Sequence, residues 1–251
     1  MISSYKKLCT RYYDLEDHKD HEEALAYYLL KAAETTGTIL EPMCGTGRFL
    51  LPVLQAGYEI EGFDASQDMI TALYEKCSDL HLKKPIISQS LVHEFSSDKK
   101  YTLIFIPYGS WGLMLDKEII EQSLIRLYTL LEKGGTLILE IETIASAPRS
   151  CGVKNRSVKP SGKDELFVLT TVLNYIQDSQ LFTAYCRYEL LQSGNIQETE
   201  HEDFAMHLYA YNEMDILLKN CGFTKIKKYR NHALDKDFLE EAPLLLYECI
   251  K

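Results

Sequence analysis

The stretch ILEPMCGTGRFL, residues 39–50, decides the fold that we expect of this chain. An apolar pair and the acidic Glu41 are followed by Gly45 and Gly47, and then by a second apolar run. Glycine tolerates the backbone conformations that a chain needs to reverse from a strand into a helix within a few residues. The stretch therefore predicts a strand, a tight glycine turn and a helix that begins near Thr46 and Gly47.

A turn of this kind is typical of a ligand site. The glycines leave the main chain uncovered, and a ligand can contact peptide N–H groups at the positive end of the following helix. The dinucleotide fingerprint G-x-G-x-x-G would require a third glycine, but Leu50 stands at that position. A nicotinamide-dependent oxidoreductase is therefore the weaker interpretation.

Composition limits the classes of function. The chain has 251 residues, of which 46% are hydrophobic, and this content is sufficient for a substantial core. A formal net charge of −10 disfavours nucleic acid as a partner, because it repels phosphate. We expect no membrane partner, because no apolar run reaches the ~20 residues that a spanning helix needs. The odd number of cysteines, without a C-x-x-C pair, predicts no metal site and a cytoplasmic location.

Strands and helices alternate through the first 148 residues. An amphipathic helix over 21–34 precedes the glycine turn, and the continuous apolar strand 101–106 is typical of burial on both faces of a sheet. The other predicted elements are strands at 38–41, 58–64, 86–88 and 136–141, with helices at 66–77 and from Asp116 to about Glu132. This alternation predicts a doubly wound α/β sheet.

The alternation ends after Pro148. Prolines and glycines mark an irregular stretch over 148–162, and three extended segments follow it. These segments cover residues 166–176, 181–192 and 196–208. Because short turns separate them, we expect antiparallel pairing. The chain then returns to a helix that begins at Asn212, with a capping-box-like Asp215, and to two strands at 223–229 and 244–250.

The residues Glu41, Gly45 and Gly47 resemble the E/D-x-x-x-G-x-G signature of class I S-adenosylmethionine-dependent methyltransferases. Asp64, at the end of the second predicted strand, and the two closing strands extend the resemblance over nearly the whole chain. The chain is similar to the small-molecule branch, which includes glycine N-methyltransferase-like and amino-sugar N-methyltransferase-like enzymes. The resemblance implies a Rossmann-like sheet that is mostly parallel, with an antiparallel last strand and an antiparallel β insertion.

The resemblance also implies S-adenosyl-L-methionine as the cofactor and a role for each matched residue. Gly45 and Gly47 would let the methionine portion lie on bare backbone, and Glu41 would order the loop and the amino group. Asp64 would accept both ribose hydroxyls, because a carboxylate has two oxygens. The remaining implied cofactor-binding residues are Tyr13, Met43, Thr46, Arg48, Ala65, Met69, Ser90, Leu91 and Ile106.

One departure from the family pattern concerns the adenine. Relatives offer an aspartate after the third strand, whereas this chain has Ser90 and Leu91 there. The Ser90 hydroxyl would accept the adenine hydrogen bond more weakly, and the Leu91 backbone would still serve the ring.

The resemblance places Tyr108 and Trp111 where the reactive methyl group emerges, as residues that position the reactants. Aromatic rings near a sulfonium add cation–π attraction of about 0.5 to 2 kcal/mol. A base is optional for an amine that arrives neutral and more useful for a hydroxyl. None stands out among His93, His201, His207 and His232.

The implied function is transfer of a methyl group to nitrogen or oxygen of a small molecule. A protein or RNA methyltransferase is the nearest alternative. The chain divides into a cofactor-binding part at 1–148, the antiparallel insertion at 149–210, and a closing helix with two strands at 211–251. The insertion would form a substrate lid, a homodimer surface through residues 166–208, or both.

Overall fold

A computed structural model of the chain describes residues 4–16 and 21–251, which form two sheets and six α-helices among them. The helices are α1 (Lys7–Asp14), α2 (His21–Ala33), α3 (Leu50–Gln55), α4 (Gln67–Asp79), α5 (Lys117–Leu130) and α6 (Glu213–Cys221). The strands are β1 (Ile39–Pro42), β2 (Ile60–Asp64), β3 (Ile86–Gln89), β4 (Tyr101–Ile106), β5 (Leu131–Glu142), β6 (Lys154–Gly162), β7 (Glu165–Ile176), β8 (Leu181–Gln192), β9 (Asn195–His207), β10 (Lys225–Tyr229) and β11 (Leu244–Ile250).

The main sheet has seven strands in the order β10-β11-β5-β4-β1-β2-β3. Strands β1 to β5 run parallel, and β11 is antiparallel to both of its neighbours. The predicted Rossmann-like fold, with its antiparallel last strand, is therefore confirmed. Because β1 pairs with β2 on one side and β4 on the other, the strand order reverses at β1. Ligands of such sheets bind in the crevice at the carboxyl ends of the strands at this switch point.

Local signals explain where two predicted helices begin. The Ser66 hydroxyl accepts a hydrogen bond from the Met69 backbone N–H at 3.2 Å and caps α4. Asp116 caps α5 in the same way, through the N–H groups of Glu118 and Ile119. The capping box expected at α6 is wrong, because the Asn212 side chain makes no cap hydrogen bond.

The glycine turn is longer than the sequence predicted. Helix α3 begins at Leu50, not near Thr46 and Gly47. Gly45 and Gly47 have φ angles of +52° and +80°, and a right-handed helix cannot continue through such residues. The turn therefore brings several main-chain groups to the carboxyl edge before the helix starts.

The third glycine that the turn lacks has a counterpart on the neighbouring strand. A Cβ atom added to Gly62 in β2 would lie 2.6 Å from Leu50 Cδ1 and 3.1 Å from Cys44 Sγ. Gly62 thus provides the space into which α3 packs. In the dinucleotide fingerprint, this space is provided by the third glycine, whose position is occupied by Leu50 here.

The second sheet is antiparallel, with the order β6-β7-β8-β9. Three of its strands were predicted, but the irregular stretch expected over 148–162 contains the fourth, β6. Strand β6 is an edge strand whose side chains are mostly exposed, so no apolar alternation marks it in the sequence. Pro160 is compatible with this position, because an edge strand leaves backbone groups unpaired.

Three apolar clusters hold the elements together. Two lie on the two faces of the main sheet, and the third lies between α1 and one face of the antiparallel sheet. In the third, Leu8 and Tyr12 of α1 pack among Phe167 and Tyr188. In the part of the chain described above, no helix is long and apolar enough to cross a membrane.

Candidate functional site

Asp64 links two parts of the carboxyl edge. Its Oδ2 accepts a hydrogen bond from the Gly45 N–H at 2.8 Å, and its Oδ1 accepts one from the Ser66 N–H at 2.8 Å. The carboxylate thereby fixes the glycine turn against the start of α4. Because each carboxylate oxygen has two acceptor positions, both oxygens retain capacity for a ribose hydroxyl.

Glu41, at the carboxyl end of β1, is a buried acid. Its side chain is 2% exposed, and its Oε2 has no hydrogen-bond partner among the described residues. Burial and the nearby charge of Asp64 raise the pKa of Glu41 well above its usual value, although the Leu50 N–H opposes the shift. Burial also raises the pKa of Asp64, against the opposing hydrogen bonds from Ser66 and Gly45. An unpaired buried acceptor fits a ligand that brings a donor or a positive charge.

The two glycines of the turn have different surroundings. A Cβ atom on Gly45 would meet only the Met69 sulfur, at 3.9 Å, so the backbone there borders open space. A Cβ atom on Gly47 would lie 2.9 Å from Leu51 Cγ and 3.0 Å from Leu73 Cγ. Gly45 therefore leaves room for a ligand, whereas Gly47 allows close packing of the turn against helices α3 and α4.

Helix α1 is attached to the glycine turn by Thr46 and Arg48. The Thr46 hydroxyl donates to Asp14 Oδ1 at 2.6 Å. Arg48 donates from Nη2 to the Tyr13 carbonyl at 2.9 Å, and its guanidinium lies 4.2 Å from the centroid of the Tyr13 ring. Lys76 of α4 also pairs with Asp14, at 2.9 Å. Thr46, Arg48 and Tyr13, which were predicted to bind the cofactor, thus hold α1 against the glycine turn.

The other end of α1 is attached to the antiparallel sheet. Glu202 accepts hydrogen bonds from the N–H groups of Tyr5 and Lys6, at 2.8 and 2.6 Å. Glu200 accepts from the N–H groups of Leu8 and Cys9 at 3.2 and 2.8 Å. These acids satisfy the N-terminal donors of the helix and complement its dipole. Helix α1 therefore connects the antiparallel sheet to the glycine turn.

The residues predicted to contact adenine meet at the carboxyl ends of β2 and β3. The Ser90 N–H donates to the Asp64 carbonyl at 3.0 Å, and the Ser90 hydroxyl donates to the Leu91 carbonyl at 3.0 Å. The Ser90 oxygen therefore retains acceptor positions, as the prediction requires. Ala65 is half-buried here, and Met69 is buried next to Gly45.

Tyr108 occupies the opposite side of the switch point, directly after β4. Its φ is +55°, and its N–H donates to Glu140 Oε2 at 3.0 Å. The Tyr108 ring meets the Phe49 ring edge-on, with centroids 5.0 Å apart. Its hydroxyl lies 3.2 Å from Nδ1 of His21. The sequence does not predict His21 as a site residue, because no spacing rule relates the start of α2 to the end of β4.

Two carboxylates of β5 support the Tyr108 loop. Glu140 is fully buried, and its Oε1 accepts hydrogen bonds from Tyr28 and, at 2.9 Å, from His232 Nε2. Glu142, two residues further, packs so closely on Gly109 that a Cβ atom there would lie 2.8 Å from its Cγ. Burial raises the pKa of Glu142, although a hydrogen bond from Ser146 opposes the shift. Nothing in the sequence marks either acid as a site residue.

Trp111, the second residue predicted to position the reactants, is fully buried in the core. Its indole nitrogen approaches the Tyr209 phenol without meeting hydrogen-bond geometry. Met43 packs against the same cluster with a φ of +56°, and Ile106 is fully buried at the end of β4. Trp111 and Ile106 therefore lie within the core, and Met43 is half-buried against it.

Comparison with known proteins identifies the type of domain. Residues 39–135 match a family described as "Methyltransferase domain". A relative from Bacillus subtilis (strain 168), called "Putative methyltransferase YqeM", is 23% identical over 253 aligned positions. The alignment covers 95% of this chain and 92% of the relative.

Solved structures share the fold over nearly the whole chain. An S-adenosylmethionine-dependent methyltransferase from Clostridium acetobutylicum ATCC 824 superposes with a TM-score of 0.77 at 16% identity, covering 92% of each chain. The sugar N-methyltransferase KedS8 from Streptoalloteichus sp ATCC 53650 gives 0.75 at 15% identity, covering 100% of this chain and 97% of its own. These findings confirm the predicted enzyme class: residues 39–135 are a methyltransferase domain, on the fold of class I S-adenosylmethionine-dependent methyltransferases.

Proposed function

We propose that this S-adenosylmethionine-dependent methyltransferase transfers a methyl group to nitrogen or oxygen of a small molecule bound beside Tyr108. The observation that carries the proposal is the set of side chains around the Tyr108 loop. They are the aromatic Phe49, the imidazole of His21 and the carboxylates of Glu140 and Glu142. Rings suit a small organic acceptor, whereas the formal net charge of −10 repels the phosphates of RNA.

The site residues suggest the orientation of the cofactor. Asp64 would bind the ribose at β2, the Gly45 backbone would receive the methionine portion, and the unpaired Glu41 oxygen would accept from its amino group. Ser90 and Leu91 would border the adenine. When bound, S-adenosylmethionine supplies an electrophilic methyl group on a sulfonium. Because the ribose end lies at β2, the other end of the crevice, toward β4 and Tyr108, is where the acceptor would meet the methyl group.

The protein's own contribution is alignment and exclusion of water. Holding two reactants in line contributes about 7 to 11 kcal/mol to lowering a barrier. The rings of Tyr108 and Phe49 would stabilise a nearby positive charge through cation–π attraction. Helix α1, fixed at the turn by Thr46 and Arg48, would limit access of water from the side of the antiparallel sheet.

The test has two stages. S-adenosylhomocysteine, but not NADH, should raise the melting temperature of the protein, because the Asp64 and Glu41 site fits the former. Labelled methyl transfer from S-adenosylmethionine should then appear with a member of a panel of amines, phenols, alcohols and carboxylates, and not with RNA. Stabilisation by NADH alone would contradict the cofactor assignment, and transfer to RNA alone would contradict the acceptor class.

The antiparallel sheet supports a second part of the proposal, a homodimer through residues 166–208. One face of the sheet is covered by α1, and the other exposes apolar side chains. Among these, Leu166 is 39% exposed and Ile196 is 54% exposed. We expect a dimer by analytical ultracentrifugation and a monomer for Ile196→Glu, with Ile216→Glu on α6 as the control. A monomeric parent would contradict this part.

A cytoplasmic location accords with the seven cysteines, each of which is a free thiol.

A further inference from the structure

We propose that His21 and Tyr108 form a proton relay that takes the proton released by the methyl acceptor. Tyr108 would touch the acceptor, and His21 would act through Tyr108 as a positioning residue and as the final proton acceptor within the protein. This inference rests on the proposed function, because it concerns the same acceptor site.

The first support is the geometry of the pair. His21 Nδ1 and the Tyr108 hydroxyl are 3.2 Å apart, within hydrogen-bond distance. Phe49 contacts both rings, with centroids 5.4 Å from that of His21 and 5.0 Å from that of Tyr108. The pair is therefore held by packing as well as by the hydrogen bond.

The second support is the anchoring of the Tyr108 backbone. Tyr108 has a positive φ, an uncommon conformation for a residue with a side chain, and such conformations cluster at functional sites. The hydrogen bond from its N–H to the buried Glu140 maintains this conformation. Glu140 is itself held by Tyr28 and His232. The protein thus fixes the backbone at Tyr108, and the phenol hydroxyl lies against His21 Nδ1.

The third support is the chemistry of the two groups. A neutral imidazole with a proton on Nε2 has an acceptor lone pair on Nδ1, and a phenol donates to such a nitrogen while its oxygen accepts from another donor.

The proposed step balances without any further reactant. The lone pair of the acceptor nitrogen or oxygen forms the bond to the methyl carbon, while the methyl–sulfur bond breaks and its electron pair remains on sulfur. The acceptor's proton passes to the Tyr108 oxygen as the Tyr108 hydroxyl proton passes to His21 Nδ1. His21 then releases one proton to water.

The chain contains a matched control for this pair. On the antiparallel sheet, the Tyr185 hydroxyl lies 2.6 Å from His201 Nδ1, and both side chains are exposed. This second histidine–tyrosine pair lies on the face that α1 does not cover. Substitutions there change the same chemical groups away from the acceptor site.

The first experiment needs no acceptor. Spectra of 15N-histidine-labelled protein in complex with S-adenosylhomocysteine should show neutral His21 with the proton on Nε2. In Tyr108→Phe this tautomer preference should weaken, whereas Tyr185→Phe should alter only His201. A proton on Nδ1 of neutral His21 in the parent, or an unchanged His21 spectrum in Tyr108→Phe, would overturn the pairing.

The second experiment measures turnover of whichever panel compound the parent methylates. His21→Gln keeps a hydrogen-bond acceptor for the phenol but cannot take up a proton, so kcat should fall about 100-fold or more. Affinity for S-adenosylhomocysteine should stay within twofold, and His201→Gln should have parental activity. Adding Tyr108→Phe to His21→Gln should cause little further loss, because the two residues act as one unit.

The two possible failures are distinguishable. If the parent methylates no panel compound, the proposed function fails, and the tautomer of His21 still decides whether the pair exists. If the parent turns over a compound and His21→Gln keeps parental kcat, the proposed function stands and the proton relay is wrong.

Discussion

The two sides of the switch point at the carboxyl edge are assembled in different ways. The β2 end depends on Glu41, Gly45 and Asp64, which follow one another closely in the chain, and the Asp64 carboxylate accepts backbone hydrogen bonds from Gly45 and Ser66. The β4 end brings His21, from the start of α2, to Tyr108 and to the carboxylates of β5. The spacing of residues along the sequence therefore determines the β2 end, whereas the topology of the sheet determines the β4 end. Substitutions at the two ends should have separable effects on binding and on turnover.

The largest effect on stability is expected from Gly47→Ala. This substitution places a Cβ atom against Leu51 and Leu73 at a φ of +80°. Gly57→Ala is the control, because Gly57 also has a positive φ, +93°, but nothing lies within 4 Å of its Cβ position. Overpacking should make Gly47→Ala less stable than Gly57→Ala by about 1 to 3 kcal/mol in urea unfolding. Equal stabilities would mean that the turn does not depend on close packing.

The second prediction concerns the affinity of Asp64→Ala for the cofactor product. Asp64→Ala removes a charged acceptor from the ribose position, and hydrogen bonds to charged groups contribute about 1.5 to 3 kcal/mol. Affinity for S-adenosylhomocysteine, measured by calorimetry, should therefore fall about 10- to 150-fold. Asp68→Ala, at an exposed position of α4, should leave it unchanged. An affinity of Asp64→Ala within twofold of the parent would show that the ribose assignment is wrong.

A third prediction concerns pH. The pKa of Glu41 is raised in the folded protein, so the folded state binds more protons than the unfolded state above the ordinary carboxyl pKa. The contribution of Glu41 to stability is therefore present at low pH and is lost as pH rises toward the raised pKa. Without ligand, the melting temperature of Glu41→Gln should fall less than that of the parent as pH rises from 5 to 8.

Glu41→Gln should weaken ligand binding, although it reduces the loss of stability with rising pH. If the ionised Glu41 accepts from the amino group of the cofactor, Glu41→Gln should bind S-adenosylhomocysteine about tenfold more weakly at pH 8. The parent's affinity should fall as pH decreases and Glu41 is protonated, and the variant should show less of this fall. Matching pH profiles of binding in the two proteins would contradict a role for Glu41.

The smallest effect tests the connection that α1 makes between the antiparallel sheet and the glycine turn. Glu202→Gln weakens the hydrogen bonds that hold the start of α1, whereas Glu198→Gln removes only an exposed ion pair with Lys7. We expect faster hydrogen exchange in α1 and a two- to fivefold loss of affinity for S-adenosylhomocysteine in Glu202→Gln only. Unchanged exchange in α1 would show that the antiparallel sheet does not hold this helix against the glycine turn.

The same comparison explains what the sequence predicts well. Glu41, Gly45 and Asp64 follow each other at the ends of strands that succeed one another, so their spacing and the parallel sheet together determine the β2 end. Strand β6 was missed because its exposed side chains give no alternation. The start of α3 was placed too early because the sequence does not show that the glycines have positive φ.

The β4 end was predicted less completely for a physical reason. Tyr108 was identified from its place after an apolar strand, but His21, Glu140 and Glu142 reach it only through the packing of α2 and the pairing of β4 with β5. Trp111, close to Tyr108 in the chain, turned into the core instead. Proximity in sequence therefore did not predict which side chains surround Tyr108.

A crystal structure of the complex with S-adenosylhomocysteine tests the cofactor assignments most directly. We expect both ribose hydroxyls within about 3.2 Å of the Asp64 carboxylate, and the sulfur closer to Tyr108 than to Asp64. A ribose bound away from Asp64, or a sulfur that faces β3 instead of β4, would contradict these assignments.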